Sequence, residues 1–332
     1  MLELQYLIFT VIILALAFDF INGFHDTANA IATSVSTRAL YPTHAIIMAA
    51  GLNFFGAMFS TGVAKTIGGD IVSSASIVDE KIIIAALFGA IVWNLLTWWF
   101  GIPSSSSHAL VGGLIGAVLI SVGAEGLNFN GIGKIVIALI ASPVVAIVTG
   151  IIVMNILFRL FGNFSPHAVN QNFRRMQILS AATMAFSHGS NDAQKSMGII
   201  TLALFSGGFI QEFEVPTFVK ILCATAMAVG TATGGWRIIR TIGGKIFKLE
   251  PISGFAADLN SSIVVFSATL LHLPVSTTHV VSGSIMGVGT AKRVNAVHWG
   301  VAQEMVKAWV MTIPLTALMG AAAYFAVDFL FD

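Results

Sequence analysis

Ile102-Pro103-Ser104-Ser105-Ser106-Ser107-His108 sits between two apolar runs, at roughly 82–101 and 103–122. Proline suits the first turn of a helix, where its missing N–H costs nothing. Four hydroxyls follow it, beside the backbone N–H groups that a helix start leaves unpaired. The stretch reads as the turn of an uncharged helical hairpin. It recurs 171 residues later as Leu273-Pro274-Val275-Ser276-Thr277-Thr278-His279, again between apolar runs, at roughly 255–272 and 274–290. Gly112 and Gly116 match Gly283 and Gly287 at the same spacing.

Two further motifs repeat in the same order. Asn22-Gly23-Phe24-His25-Asp26 parallels His188-Gly189-Ser190-Asn191-Asp192, and Lys65-Thr66-Ile67-Gly68-Gly69 parallels Arg240-Thr241-Ile242-Gly243-Gly244. The chain is therefore a duplication. The remaining long apolar runs lie at roughly 4–33, 43–63 and 132–161, then 177–205, 217–236 and 300–330. Crossing ~30 Å of hydrocarbon takes about 20 such residues. Five runs per half is an odd number, so the halves should insert in opposite senses, and a re-entrant hairpin leaves that parity unchanged. The expected fold is an all-α polytopic membrane protein of two inverted repeats, with broken helices, re-entrant helical hairpins and about 10–12 membrane segments. Residues 1–161 form the first repeat, 162–176 a cytoplasmic connector and 177–332 the second repeat.

Composition agrees. The 332 residues are 56% hydrophobic and 9% charged, against about 25% charged in soluble domains. A net charge of +1 offers nothing to nucleic acid. The single cysteine, Cys223, lies in an apolar run and reads as a small hydrophobe, neither a disulfide half nor a metal ligand. The opening MLELQYLIFTVIILALAF has Glu3 where a signal peptide carries a basic residue, so it reads as a first membrane helix. With 162–176 in the cytoplasm, Lys and Arg divide as ten cytoplasmic (among them Arg174, Arg175, Arg237 and Lys292), four outer (Lys65, Lys81, Lys134 and Lys220) and two inside apolar runs (Lys195 and Lys307). That fits the positive-inside rule for a plasma (inner) membrane protein with both termini outside the cytoplasm.

The polar residues inside these runs carry the chemistry. A carboxylate within a membrane helix costs at least ~2.5 kcal/mol and should face a cavity and a partner. Asn22, Asp26 and Asn29 in one repeat, with His188, Asn191 and Asp192 in the other, form two related clusters of hard donors suited to Na⁺. The glycines beside them, Gly23 and Gly189, would permit local unwinding that frees carbonyls for a cation. Asp258, which faces Leu87 in the duplication, is a second cation ligand or proton carrier. Ser105, Ser106, Ser107, Ser276, Thr277 and Thr278 cluster at two helix N-termini, where oriented donors and the helix dipole favour an anion. Gln194 joins this expected anion site, and Lys195 either offsets the anion's charge or pairs with Asp192. His108 and His279 are as suited to bonding a nearby carbonyl as to touching a ligand.

These motifs resemble the inorganic phosphate transporter family, the PiT symporters. The family's G-A-N-D-V-A-N-A is similar to Gly23-Phe24-His25-Asp26-Thr27-Ala28-Asn29-Ala30, with Phe24-His25 in place of Ala-Asn. Its H-G-x-N-D is similar to His188–Asp192, and its L-P-[VI]-S-x-T-H to Leu273–His279. The resemblance covers the whole chain. It implies import of inorganic phosphate with a co-transported cation, Na⁺ in preference to H⁺, with no other cofactor and with both Asp motifs near the cation sites. Partners are then phosphate, Na⁺ and the lipid bilayer, with a homodimer as one oligomeric form. A sulfate permease of the same fold is the alternative, and an intramembrane hydrolase a more distant one, since nothing marks one serine as a unique nucleophile.

Overall fold

The computed structural model describes residues 2–74 and 77–331. The first half contains α1 (Leu2–Ser36), α2 (Pro42–Ala57), α3 (Gly62–Gly69), α4 (Glu80–Phe100), α5 (Ser106–Ser121) and α6 (Phe129–Phe161). The second contains α7 (Pro166–Ser206), α8 (Thr217–Thr233), α9 (Trp236–Gly244), α10 (Pro251–Leu270), α11 (Thr277–Lys292) and α12 (Trp299–Phe331). Each expected apolar run appears as a helix, and the order of elements is the same in both halves. Among the described residues, α1 from Leu4, α4, α6 and α12 are each long and apolar enough to cross a membrane. The pairs α2/α3 and α8/α9 pass that test together, bent by 71° and 77° at their breaks. The polar α7 does not, and the reason is its position. From Ser187 to Leu204 all but a few side chains are fully enclosed by other helices, so lipid does not select its composition.

Two expectations need correction. The breaks are not at the glycines of the polar clusters: α1 runs unbroken through Gly23 and α7 through Gly189. These glycines instead let helices cross at backbone contact. A Cβ on Gly23 would collide with the Met227 carbonyl of α8, and one on Gly189 with the Asn53 carbonyl of α2. Small residues at such crossings are what bring membrane helices together. The second correction concerns 162–176. Ser165 caps α7 and Pro166 opens it, so most of that stretch is the start of a 41-residue helix and the true link is Gly162–Ser165.

The hairpins are re-entrant. The α4/α5 pair turns at Gly101, whose φ of 66° is left-handed, and the α10/α11 pair turns at the equivalent His272, with φ of 60°. The base of the second hairpin is closed by Glu250 and Lys292, 2.8 Å apart, so both of its ends lie on one side. At the base of the first, the segment leading into α4 is tied to the segment leaving α5 by Ser73 N–H to Gly126 O (2.9 Å) and Asn128 N–H to Ile71 O (3.0 Å). Each returning helix then packs on the last helix of the other repeat. Gly112 and Gly116 of α5 meet the backbone of Ile313 and Ala317 in α12, while Gly283 and Gly287 of α11 meet Pro143 and Ile147 in α6. The repeats interlock as a result.

Two apolar cores flank a polar layer. One holds Val11, Phe18, Ile67, Leu87 and Leu114. The other holds Ile31, Phe173, Ile242, Phe255 and Ile285. Outside, α6 and α12 present Ile137, Ile140, Val144, Val310, Leu318 and Phe325, all exposed. So large an apolar surface needs lipid to cover it. A cavity of about 690 Å³ opens between α6 and α12 and reaches His108 and His279 at the hairpin turns.

Candidate functional site

Helix starts build the site. Ser105 accepts the His108 N–H and caps α5, and Ser276 accepts the His279 N–H and caps α11. These two hydroxyls are therefore spent on capping. The next hydroxyls in each turn point at carboxylates. Ser106 donates to Asp26 Oδ2 at 3.1 Å, and its equivalent Thr277 donates to Asp192 Oδ2 at 3.2 Å. Thr278 crosses between repeats and donates to Asp26 Oδ1 at 3.2 Å. Ser107 crosses the other way, to the Val275 carbonyl at 2.9 Å. The N-termini of α5 and α11 thus converge on one place, bringing two positive dipole ends and their unpaired N–H groups together.

Asp26 and Asp192 are buried at that place. With His188 they offer three ligand atoms that all lie within 4.8 Å of one another. Two carboxylates this close and this dry repel strongly unless a positive charge joins them. Lys195 supplies part of it, its Nζ 2.7 Å from Asp192 Oδ1 and fully buried. His188 Nε2 is 3.5 Å from Asp192 Oδ2. On the other side, His25 Nδ1 lies 2.6 Å from Asp26 Oδ1, and its Nε2 3.1 Å from Thr97 Oγ1. Asn29 donates to Thr277 and Thr278 at 3.2 and 2.9 Å, which leaves its Oδ1 without a partner.

Other expected site residues are held elsewhere. Asn191 secures the second hairpin: its amide donates to Thr269 Oγ1 and the Leu273 carbonyl and accepts the Val275 N–H. Gln194 caps α3 by accepting the N–H groups of Val63 (2.8 Å) and Ala64 (3.2 Å). Asp258 sits on the far side of the pair, with Oδ1 on Thr33 Oγ1 at 2.6 Å and Oδ2 unpartnered. Asn22 is fully buried with neither amide atom bonded. His108 and His279 turn away from the carboxylates. Their rings lie 4.6 Å apart, and His279 stacks on Trp309 at 4.0 Å. Sequence reasoning missed Asn53, which positions His188 Nδ1 at 3.1 Å, and Asn94, buried in α4. The signal was there: each is a lone amide inside an apolar run, an arrangement that is expensive without a purpose.

Inverted halves, crossing glycines, two re-entrant hairpins and a central charged pair define an integral membrane protein built as a transporter. A sequence model of the phosphate transporter family matches the chain twice, over 22–166 and over 163–320, one match for each repeat. The chain belongs to that family. It is 53% identical over 323 residues to a protein of Bacillus subtilis described as a probable low-affinity inorganic phosphate transporter, covering 97% of each chain. It is 50% identical to a protein of Rhizobium meliloti with the same description, covering 96% of this chain and 95% of that one. Among solved structures, one titled the sodium-dependent phosphate transporter superposes with a TM-score of 0.90 at 26% identity, covering 98% of this chain and 99% of the other. The family is one of transporters, and the hydrolase alternative has no support in it.

Proposed function

We propose that the chain imports inorganic phosphate together with a monovalent cation, Na⁺ in preference to H⁺, by alternating access across the inner membrane. The observation that carries this reading is the pairing of Asp26 and Asp192, one from each repeat, within 4.8 Å of each other at the meeting point of two helix N-termini. Carboxylates repel phosphate, so an anion can sit at those N-termini only with cations between it and the carboxylates. Coupling then follows from the electrostatics: neither charge is well held without the other. In this reading Asp26, Asp192, His188 and Asn29 contribute cation ligands, and Asp258 serves a cation on the opposite side. Ser106, Ser107, Thr277 and Thr278 hold phosphate with the first-turn N–H groups, Ser105 and Ser276 fix those turns, and Lys195 tempers the charge of Asp192. Asn191 and Gln194 act by holding the second hairpin and α3. The relatives named for phosphate favour it over sulfate, and the neighbour titled sodium-dependent favours Na⁺.

The test is uptake of radiolabelled phosphate into proteoliposomes with a Na⁺ gradient or a pH gradient imposed separately. Uptake driven by the Na⁺ gradient and not displaced by sulfate is expected. Uptake indifferent to both gradients would end the coupled reading. Labelling of single cysteines at Ser165 and Gly207, in a Cys223→Ala background, should occur from opposite faces, with Ser165 cytoplasmic.

A further inference from the structure

Asp19 lies seven residues before Asp26 on α1, which is about 10 Å along the helix. It is fully buried. Its Oδ1 accepts a hydrogen bond from Ser196 of α7 at 2.7 Å, and its Oδ2 has no hydrogen-bond partner. No ion pair reaches it among the described residues, since the buried ammonium of Lys195 is committed to Asp192. The charged groups around it are Asp192 and Lys195 on α7 and Asp26 on its own helix. The Cys223 thiol of α8 also faces it. A buried carboxylate with only a hydroxyl and a thiol beside it and no direct ion pair is costly.

Two buried amides complete the setting. α1 and α4 run side by side in parallel. His25 contacts Thr97, Phe24 meets Trp98 edge to face, and near their beginnings Ile8 and Glu80 meet at Gly207. The same register sets Asn22, one turn from Asp19, opposite Asn94. Both side chains are fully buried, and all four of their amide atoms are without hydrogen bonds. On the other side of the central pair, Asp258 is likewise buried, beside Thr33, seven residues after Asp26, with Gln177 and Ser180 also facing it.

We infer that Asp19, Asn22, Asn94 and Ser196 form a further monovalent cation site, on the α1 N-terminal side of the Asp26–Asp192 pair. The donor set is one carboxylate, two amides and a hydroxyl, all hard oxygens and of low total charge. That suits Na⁺ or a proton and not a divalent ion, which would demand more carboxylates. All four residues are fully buried, so the site is enclosed by α1, α4 and α7. It rests on the reading of cation-coupled transport given above.

The experiment compares wild type with Asp19→Asn in two arms: equilibrium binding of ²²Na⁺ to the purified protein, and the pH dependence of phosphate uptake without Na⁺. If Na⁺ occupies the site, Asp19→Asn binds one Na⁺ fewer per chain. If a proton does, Asp19→Asn loses one ionisation from the pH profile. Ser196→Ala and Asn94→Ala keep the carboxylate and guard against misfolding of the first variant. Each should weaken the apparent cation affinity about ten-fold, which corresponds to ~1.4 kcal/mol. A cation-dependent wild type matched by all three variants in both arms would overturn this site alone. A wild type indifferent to both cations would overturn the coupling reading and this site with it.

Discussion

The two hairpin turns were once the same sequence, and they now do different work. Where symmetry is kept, it is close: Ser106 to Asp26 and Thr277 to Asp192 are equivalent bonds of 3.1 and 3.2 Å. It is broken one residue later, where Thr278 reaches Asp26 and Ser107 reaches a carbonyl. The cause lies on the long helices. The position that is Asn29 in α1 is Lys195 in α7. Asn29 is neutral and donates to Thr277 and Thr278. Lys195 occupies the Asp192 oxygen that a symmetric Ser107 would have bonded. A single amide-to-ammonium difference thus leaves Asp26 bonded by both hairpins, while the second oxygen of Asp192 is taken by a lysine of its own helix. The lesson is that a duplicated site can be specialised by changing one neighbour of the reactive group while the group itself stays.

The largest effect that would break this comparison comes from the central carboxylates. Asp192→Asn strands the Lys195 ammonium in a dry interior, and removing one partner of a buried pair costs about 3–5 kcal/mol. Asp26→Asn strands no lysine. Thermal unfolding in detergent should show the first variant far less stable than the second, while both lose cation-dependent phosphate uptake. Asp192→Asn combined with Lys195→Met should recover stability without recovering coupling. Equal stability of the two single variants would show that the repeats are electrostatically equivalent after all.

A smaller effect sharpens the conserved part of the symmetry. Ser106→Ala and Thr277→Ala each remove one hydrogen bond to a charged group, about 1.5–3 kcal/mol. Each should raise the half-saturating phosphate concentration by roughly ten-fold to a hundred-fold, with expression unchanged and residual binding from backbone donors. Ser107→Ala should do less than Thr278→Ala, because only Thr278 touches a carboxylate. If both Ser106→Ala and Thr277→Ala stay within about two-fold of wild type in half-saturating phosphate, these hydroxyls have no part in the phosphate site.

The smallest effect concerns the turns themselves. Gly101 and His272 hold the same left-handed backbone, at φ of 66° and 60°. A side chain in that region costs ~1–2 kcal/mol. Gly101→Ala should therefore lower stability by about that much. His272→Gly should gain up to about the same, less the entropy that glycine returns to the unfolded chain. Matched melting curves of the two variants would check the opposite signs.

The sequence by itself determined the duplication, the membrane setting, the hairpin turns and the two Asp clusters. These follow from local chemistry: apolar run length, proline at helix starts, and polar groups that a bilayer tolerates only for a purpose. The capping of α5 by Ser105 and of α11 by Ser276 was equally legible, being a contact between residues three apart. What the sequence left undecided was how each polar side chain spends its bonds. Lys195 could face the substrate or Asp192, and only the helix geometry laid it on Asp192. Asn191 and Gln194 looked like ligands, but packing against the second hairpin and α3 took their amides. Gly23 and Gly189 looked like points of unwinding, and only the crossings with α8 and α2 revealed them as points of contact. Asp19 drew no role until the parallel register of α1 and α4 set Asn22 opposite Asn94 beside it. The physical reason is the same in each case. A helix fixes the direction of a side chain through its own few neighbours, whereas the partner waiting there belongs to another helix, far along the chain, and is chosen by how the two inverted halves pack together.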